Sequence, residues 1–412
     1  MTALSHLRVL DLSRILAGPW ASQFLGDLGA EVFKIEHPKG GDDTRAWGPP
    51  YAKTADGEDS DVAAYFLAAN RNKKSVALDI ATPEGQDIIR KMVACCDVLI
   101  ENFKVGGLAK YGLDYASLSA VNPRIVYCSI TGFGQTGPYA KRPGYDFLIQ
   151  GLGGLMSLTG HPDGAAGGGP MKVGVALTDV MTGLYASNAI LAALAWREVS
   201  GQGQHIDLAL LDVQVACLAN RALNELVGSP GQARFGNAHP SIVPYQDFPT
   251  ADGHMILAVG NDGQFARFCQ EAGEPALASE SRFATNAARV ANRVELVEKL
   301  RALTVARTTK DWIAALEQAG VPCGPINGLG EVFADPQVQA RDMAREMEHD
   351  RLGCVPTVAN PIRMSKTPAT YRSAPPELGA HTRDVLAGLK IVSDAEMDDL
   401  EARGVIGRGR AD

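Results

Sequence analysis

A regular alternation of short apolar strands and amphipathic helical segments over the first 131 residues most constrains the fold. Leu7–Ser13 alternates as a strand, Ala17-Gly18-Pro19 turns into a helix from Trp20 to Leu28, and Glu31–Glu36 is the next strand. A strand–helix–strand unit of about 30 residues is the size a parallel crossover needs. Ser75–Ile80 follows as a third strand, Cys96–Phe103 as a fourth and Ile125–Thr131 as a fifth. Between them, Thr82 caps a helix that runs to Ala94 with Pro83 at its first position, and Asp114–Ala120 is a short helix. This pattern predicts an α/β fold: an open, largely parallel sheet with helices on both faces. The Gly- and Pro-rich stretch His37–Asp61 is read as a loop, and Val62–Ala69 as a helix.

Beyond Thr131 the chain becomes loop-like as far as Gly169, with one helical segment at Phe147–Leu158. Val173–Leu177 reads as a buried strand that stops at Thr178-Asp179, where a long helix begins and runs to Glu198. Asp179 at that junction has two readings, a helix cap or a reactive carboxylate held ionised by the helix terminus. His205–Leu210 is a further strand and Asp212–Val227 a further helix. Composition changes at Gly228–Gly236, which reads as a linker. An antiparallel hairpin follows at Tyr245–Val259, then helices to Gln318, a strand-and-turn region at Cys354–Met364 and a helix after Ser393. The expected division is 1–227, 228–325 and 326–412.

Several chemistries lose their support here. A net charge of −8 with no long basic run argues against a nucleic-acid surface, while a local basic patch for a phosphorylated ligand stays open. Seven cysteines, an odd number without a CxxC pair, suggest reduced thiols and a cytoplasmic location. No secretory signal pattern opens the sequence, and no apolar span is expected to reach membrane length. The eight histidines stand far apart without HExxH, so no metal site is expected. Ser13–Pro19 lacks the GxGxxG of dinucleotide binders, and neither a P-loop nor a GxSxG elbow occurs. What survives is a carboxylate nucleophile. It would attack an acyl carbon whose leaving group is good, such as a thioester, with backbone N–H donors near the oxyanion. The glycine runs Gly164–Gly169 and Gly260–Gly263 are candidate donors.

A set of strings then adds a resemblance. They include Val9-Leu-Asp-Leu12 with Ala17-Gly-Pro19, Val32–Glu36 with Gly41-Asp42 and Arg45, Asn72–Asp79, and Asp97–Phe103. Gly144-Tyr-Asp146, Asp179 ahead of Gly183, Gly201–Gln204, Gly236–Tyr245, Gly320–Pro325 and Leu378–Thr382 complete them, in order along nearly the whole chain. The chain resembles the family III CoA-transferases, which include formyl-CoA transferase and carnitine CoA-transferase, with α-methylacyl-CoA racemase as a relative. The resemblance implies Asp179 as nucleophile, an acyl–Asp anhydride and then an Asp–CoA thioester. It implies CoA thioesters as substrates rather than a permanently bound cofactor, an acyl-CoA donor such as succinyl-CoA, and a short or medium carboxylic acid, dicarboxylates included. It also implies a large Rossmann-like domain completed by the C-terminal segment, a smaller inserted α+β domain, and an interlocked homodimer.

By matching position or by charge, Leu16, His37, Arg71, Lys73, Lys74, Asn102, Phe103, Lys104 and Lys110 are candidates to meet CoA. Tyr145 and Asp146, with Arg14 or Arg45, are candidates to meet the acid, and Gly260 and Gly263 to form the oxyanion loop. Two departures stand out. Tyr145 occupies the place of the racemases' proton-transferring histidine, and a phenol is a poor base at neutral pH. Leu16 replaces a glutamine of formyl-CoA transferase, and Gly260–Gly263 is shorter than its glycine loop. A racemase-type isomerase and a non-catalytic CoA-binding protein are the alternatives.

Overall fold

The computed structural model describes residues 2–228 and 233–409. Of the expected linker, residues 229–232 lie outside the described residues. The chain forms two compact units. The first comprises Met1–Leu155, Val173–Leu223 and Gln337–Asp412, the second Met156–Lys172 and Asn224–Pro336. Residues 156–172 and 224–227, expected in the first domain, and 326–336, expected in the C-terminal segment, group with the second unit.

The first unit is built on six strands, β1 (Arg8–Asp11), β2 (Glu31–Glu36), β3 (Lys73–Ala77), β4 (Val98–Glu101), β5 (Val126–Thr131) and β6 (Gln204–Ala209). They form one sheet in the order 3-2-1-4-5-6, every pair parallel. Among the described residues, the helices between and after these strands include α1 (Ala17–Asp27), α2 (Ala64–Ala68), α3 (Pro83–Val93), α4 (Tyr115–Val121), α5 (Asp146–Leu152), α6 (Leu155–Leu158, mostly in the second unit), α7 (Leu177–Ser200), α8 (Leu210–Ala216) and α9 (Ala219–Leu226, which runs into the second unit). Successive strand residues point to opposite faces, so each face gathers its own core. Leu10, Phe33, Val76 and Tyr127 pack with α3 and α4 on one side. Val9, Val32, Ile100 and Cys128 pack with α1 and α7 on the other.

The C-terminal segment returns to this sheet. Gly407 N–H donates to Ala77 O at 3.0 Å, and the Thr382 hydroxyl accepts the Ala77 N–H at 3.0 Å. Val385, Leu386, Met397 and Leu400 join the first core. Local capping makes these ends definite: Thr82 Oγ1 accepts the Gly85 N–H at 3.1 Å, and Ser393 closes a capping box with Glu396.

Four local expectations change. Val173–Ala176 is irregular rather than strand, and α7 already starts at Leu177. Gly174 interrupts the apolar run, which is too short for periodicity to tell strand from helix entry. The helix expected at Val62–Ala69 is mostly a strand end: Asp59–Ala63 pairs antiparallel with Tyr51–Lys53, and only Ala64–Ala68 is helical. Asp212–Val227 is two helices, broken at Ala219 with φ 46°. Finally, α7 with 24 residues is long and apolar enough to cross a membrane. It contacts α1, α5, α8, β5 and β6, as a core helix of a sheet does.

The second unit carries a three-stranded antiparallel sheet, Cys323–Pro325 beside His254–Ala258 beside Tyr245–Pro249. Phe248, Phe265, Phe268 and Trp312 anchor its core against helices Asp262–Glu271, Arg293–Thr304 and Thr309–Gln318.

Candidate active site

Asp179 sits in the first turn of α7, and no side chain of the residue before that helix caps it. The cap comes from α5. Asp146 Oδ2 accepts the Thr178 N–H at 2.8 Å and the Asp179 N–H at 3.3 Å. Gln150 Nε2 donates to Asp146 Oδ1 at 2.7 Å, and Gln150 Oε1 accepts the Val173 N–H at 2.9 Å, so α5 also pins the approach to α7. Thr178 Oγ1 donates to Gln214 Oε1 of α8 at 2.6 Å. Asp179 therefore does not cap its own helix. Nor does the terminus hold it ionised, because its amides are already taken. Burial, and then the charge of Asp146, push the Asp179 carboxyl up to about 7.

One turn on, Gly183 permits a close crossing of α1. A Cβ there would stand 2.8 Å from the Ala17 carbonyl oxygen and 3.0 Å from Trp20 Cβ. Leu16, the residue just before α1, is buried. Tyr65 of α2 belongs to the same neighbourhood: burial, then Asp179 and Asp146, push its phenol above its ordinary range. Its ring meets Trp47 edge-on at 5.3 Å. Sequence reasoning gave Tyr65 no role, since its only local signal is a short apolar run. Tyr145, 65% exposed, immediately precedes α5.

A second group of candidates gathers at the carboxyl ends of the strands. Strand order reverses between β1 and β4, and open α/β sheets bind ligands in the crevice beyond such a point. Asn102, just past β4, accepts the Arg14 N–H at 2.9 Å and donates to Arg14 O at 2.7 Å, lacing the two loops together. The Arg14 guanidinium pairs with Asp43 at 2.9 Å and stands 6.0 Å over the Phe103 ring. Ile15 adopts φ 73°, rare for a β-branched residue, and its N–H donates to Asp42 Oδ1 at 3.2 Å. His37 follows β2 and lies 3.9 Å from the Asp79 carboxylate. Lys110 stands 4.5 Å over the Tyr111 ring.

Other candidates are placed elsewhere. Lys74 pairs at 2.7 Å with Glu31, the first residue of β2, which also pairs with Arg8, the first residue of β1. It thus serves the amino ends of the strands, away from the crevice. Arg71 is buried and committed to Asp27 at 2.6 Å and to Thr357 and Val358 O. Lys73 is fully buried against Asp11, Pro19 O and Asn70. Arg45 is held by Glu36 and Pro376 O over the Phe66 ring. Arg71, Lys73 and Arg45 lock the fold, because a buried cation needs its partners. In the second unit, the Gly260 N–H donates to Gln264 Oε1 at 2.7 Å, and Gly263 lies inside helix Asp262–Glu271 behind the cap Asn261. The Gly260 amide is therefore already engaged.

Beside Phe103 and Lys104 opens a cleft of about 390 Å³, lined also by Glu101, Tyr115, Ser129 and His205. Burial pushes Glu101 up to about 7, against hydrogen bonds from Ser129 and the Phe103 N–H. Ser129 Oγ and His205 Nε2 stand 2.9 Å apart, and Tyr115 stacks on His205 at 5.1 Å. Among the described residues, no three His, Cys, Asp or Glu side chains gather as a metal set.

This fold and site describe an α/β enzyme with a desolvated carboxylate at the head of a core helix. Residues 4–382 match the model of CoA-transferase family III, and the chain belongs to that family. It is similar to the succinate–glutarate CoA-transferase of Agrobacterium fabrum, 54% identical over 94% of this chain and 96% of that one. The human succinyl-CoA:glutarate CoA-transferase is 44% identical over 98% of this chain and 90% of its own length. Among solved structures, a CAIB/BAIF family protein from Brucella suis matches with a TM-score of 0.83 at 50% identity, over 94% of this chain and 99% of that one.

Proposed function

We propose that this enzyme moves CoA from succinyl-CoA to a dicarboxylic acid of glutarate's kind, with Asp179 as the acyl acceptor. The observation that carries the mechanism is the Asp179 carboxyl itself, poorly solvated in the first turn of α7 and raised to about 7. Such a group is a better nucleophile than a solvated aspartate. The names of the similar proteins support the donor and the acceptor class.

The ionised Asp179 oxygen attacks the thioester carbonyl, a C–O bond forms, and the C–S bond breaks as its electron pair leaves with CoA thiolate. The thiolate then attacks the Asp179 carbonyl of the anhydride, giving an aspartyl-CoA thioester and releasing succinate. The acceptor carboxylate attacks the aspartyl thioester carbonyl and the C–S bond breaks, giving a second mixed anhydride and CoA thiolate. The thiolate then attacks the acceptor's carbonyl, whose C–O bond to Asp179 breaks to give the new acyl-CoA and a free Asp179 carboxylate. Each step conserves charge and needs no external oxidant or metal. In this reading CoA lies along the crevice marked by His37, Asn102, Phe103 and Lys110, with Leu16, Tyr145 and Asp146 around the reacting end. Carboxyl-end crevices of Rossmann-like sheets favour that placement.

The assembly in this reading is an interlocked cytoplasmic homodimer. Seven free cysteines support a reducing compartment. Apolar side chains left exposed on α7, Tyr185, Trp196 and Val199, support a protein partner on that face. The test is direct. Asp179→Asn and Asp179→Ala, mixed with succinyl-CoA and glutarate, lose at least about a thousandfold in glutaryl-CoA formation read by mass. Turnover within about tenfold of wild type in both variants would remove Asp179 from the mechanism.

A further inference from the structure

The head of a 24-residue helix is ordinarily a place of excess N–H donors, which stabilise an anion and lower the pKa of a carboxyl in its first turn. At α7 these donors are diverted. Asp146 takes the N–H groups of Thr178 and Asp179 on one oxygen, while Gln150 fixes its other oxygen. Gln150 is fully buried, so this cap is held from behind.

Among the described residues, the influences that shift Asp179 are burial and the Asp146 charge, and both raise it. From α5 comes Asp146, and from α2 comes the neutral Tyr65, whose phenol feels both carboxylates. From α8 comes Gln214, hydrogen-bonded to Thr178, and α1 brings Ala17 and Trp20 against Gly183. Of the elements packed on α7, β6 carries His205, which burial pushes towards its neutral form, and Asp207, which accepts the Gln135 N–H, while α8 carries Asp212.

We infer that Asp146 is a positioning residue that orients the first turn of α7 while withholding its amides from Asp179, so that Asp179 stays a strongly nucleophilic carboxylate. The inference rests on the reading of Asp179 as acyl acceptor. It explains why acylation is favourable there. When Asp179 attacks the thioester, its charge leaves with the departing sulfur, and the repulsion between the two carboxylates is relieved. A carboxylate that binds its proton tightly also holds an acyl group more tightly.

Asp146→Asn tests it with little steric change, because the amide oxygen can still accept both N–H groups while the charge is gone, although its NH2 then faces the Gln150 Nε2 donor. Asp146→Ser supplies a neutral cap of another shape. The readouts are the pH profile of kcat/KM for succinyl-CoA and the trapping of acylated Asp179 with hydroxylamine, read by peptide mass. The result expected for wild type is an acid limb near pH 7. In a folded variant that limb moves down by about one pH unit or more, as loss of a like charge requires. A purely structural role would lower the rate and leave the limb in place. An unmoved limb in both variants, with Asp179 still trapped, overturns the inference and leaves the acyl-acceptor reading standing. Absence of any trapped Asp179 in wild type overturns that reading itself.

Discussion

Glu101 and Asp179 both keep a proton to about pH 7, for different reasons. Burial raises Glu101 against the hydrogen bonds it accepts, whereas Asp179 answers to burial and to a second carboxylate. For Glu101 the stability consequence has a definite sign. Below pH 4.5 the group is protonated in both states; as pH rises towards 7 the unfolded chain ionises first, so stability falls through that window and levels off above it. The full loss is on the order of 3 kcal/mol. Glu101→Gln, with no charge to bury, should resist urea better than wild type at pH 8 and equally at pH 4.5. An equal gain at both pH values would contradict the assignment. The place of Asp179 in the first turn of a long helix was legible in the sequence, through the apolar run before it and the helical pattern after it. Its partner Asp146 was legible only as part of a string. That Asp146 caps α7 depends on a bond across 33 residues, which no local pattern encodes. Position and charge in the sequence do not reveal that Arg71 is paired with Asp27 and Lys74 with Glu31, since they do not show which lysine or arginine the fold has already engaged.

At the level of elements, the alternation from Leu7 to Thr131 made the parallel sheet legible, because strand and helix periods differ and their spacing fits crossovers. The antiparallel hairpin around Asp252-Gly253 was legible for the same kind of reason. Val173–Ala176 was not, since four residues carry no usable period. Asp59–Ala63 was missed because its pairing partner, Tyr51–Lys53, sits in a Gly- and Pro-rich stretch. The α1–α7 crossing yields the element-scale prediction. Gly183→Ala places a methyl 2.8 Å from a backbone oxygen, which a rigid helix pair cannot absorb without moving. It should cost about 1–3 kcal/mol in stability and, by shifting the Asp179 turn, lower kcat by about tenfold or more. Unchanged melting and unchanged kcat together would show that the helices are not in such close contact.

For the whole molecule, the exposed apolar side of α7 is the feature that asks for a partner. Trp196, 56% exposed, and Val199, 82% exposed, lie on a helix whose other side is in the core. In the proposed homodimer that side is covered, so Trp196→Glu combined with Val199→Glu should shift the mass in light scattering from dimer towards monomer. A monomeric wild type would contradict the dimer. The catalytic cycle offers the most direct test of the central claim, that Asp179 carries the acyl group. Each turnover with an acceptor acid labelled with ¹⁸O in its carboxylates should leave one acceptor oxygen on the Asp179 carboxylate when the returning thiolate takes the acyl group. The predicted result of digesting the enzyme after several turnovers is ¹⁸O in the peptide bearing Asp179 and in no other aspartate or glutamate peptide. Glutaryl-CoA formed with that peptide unlabelled would contradict the account.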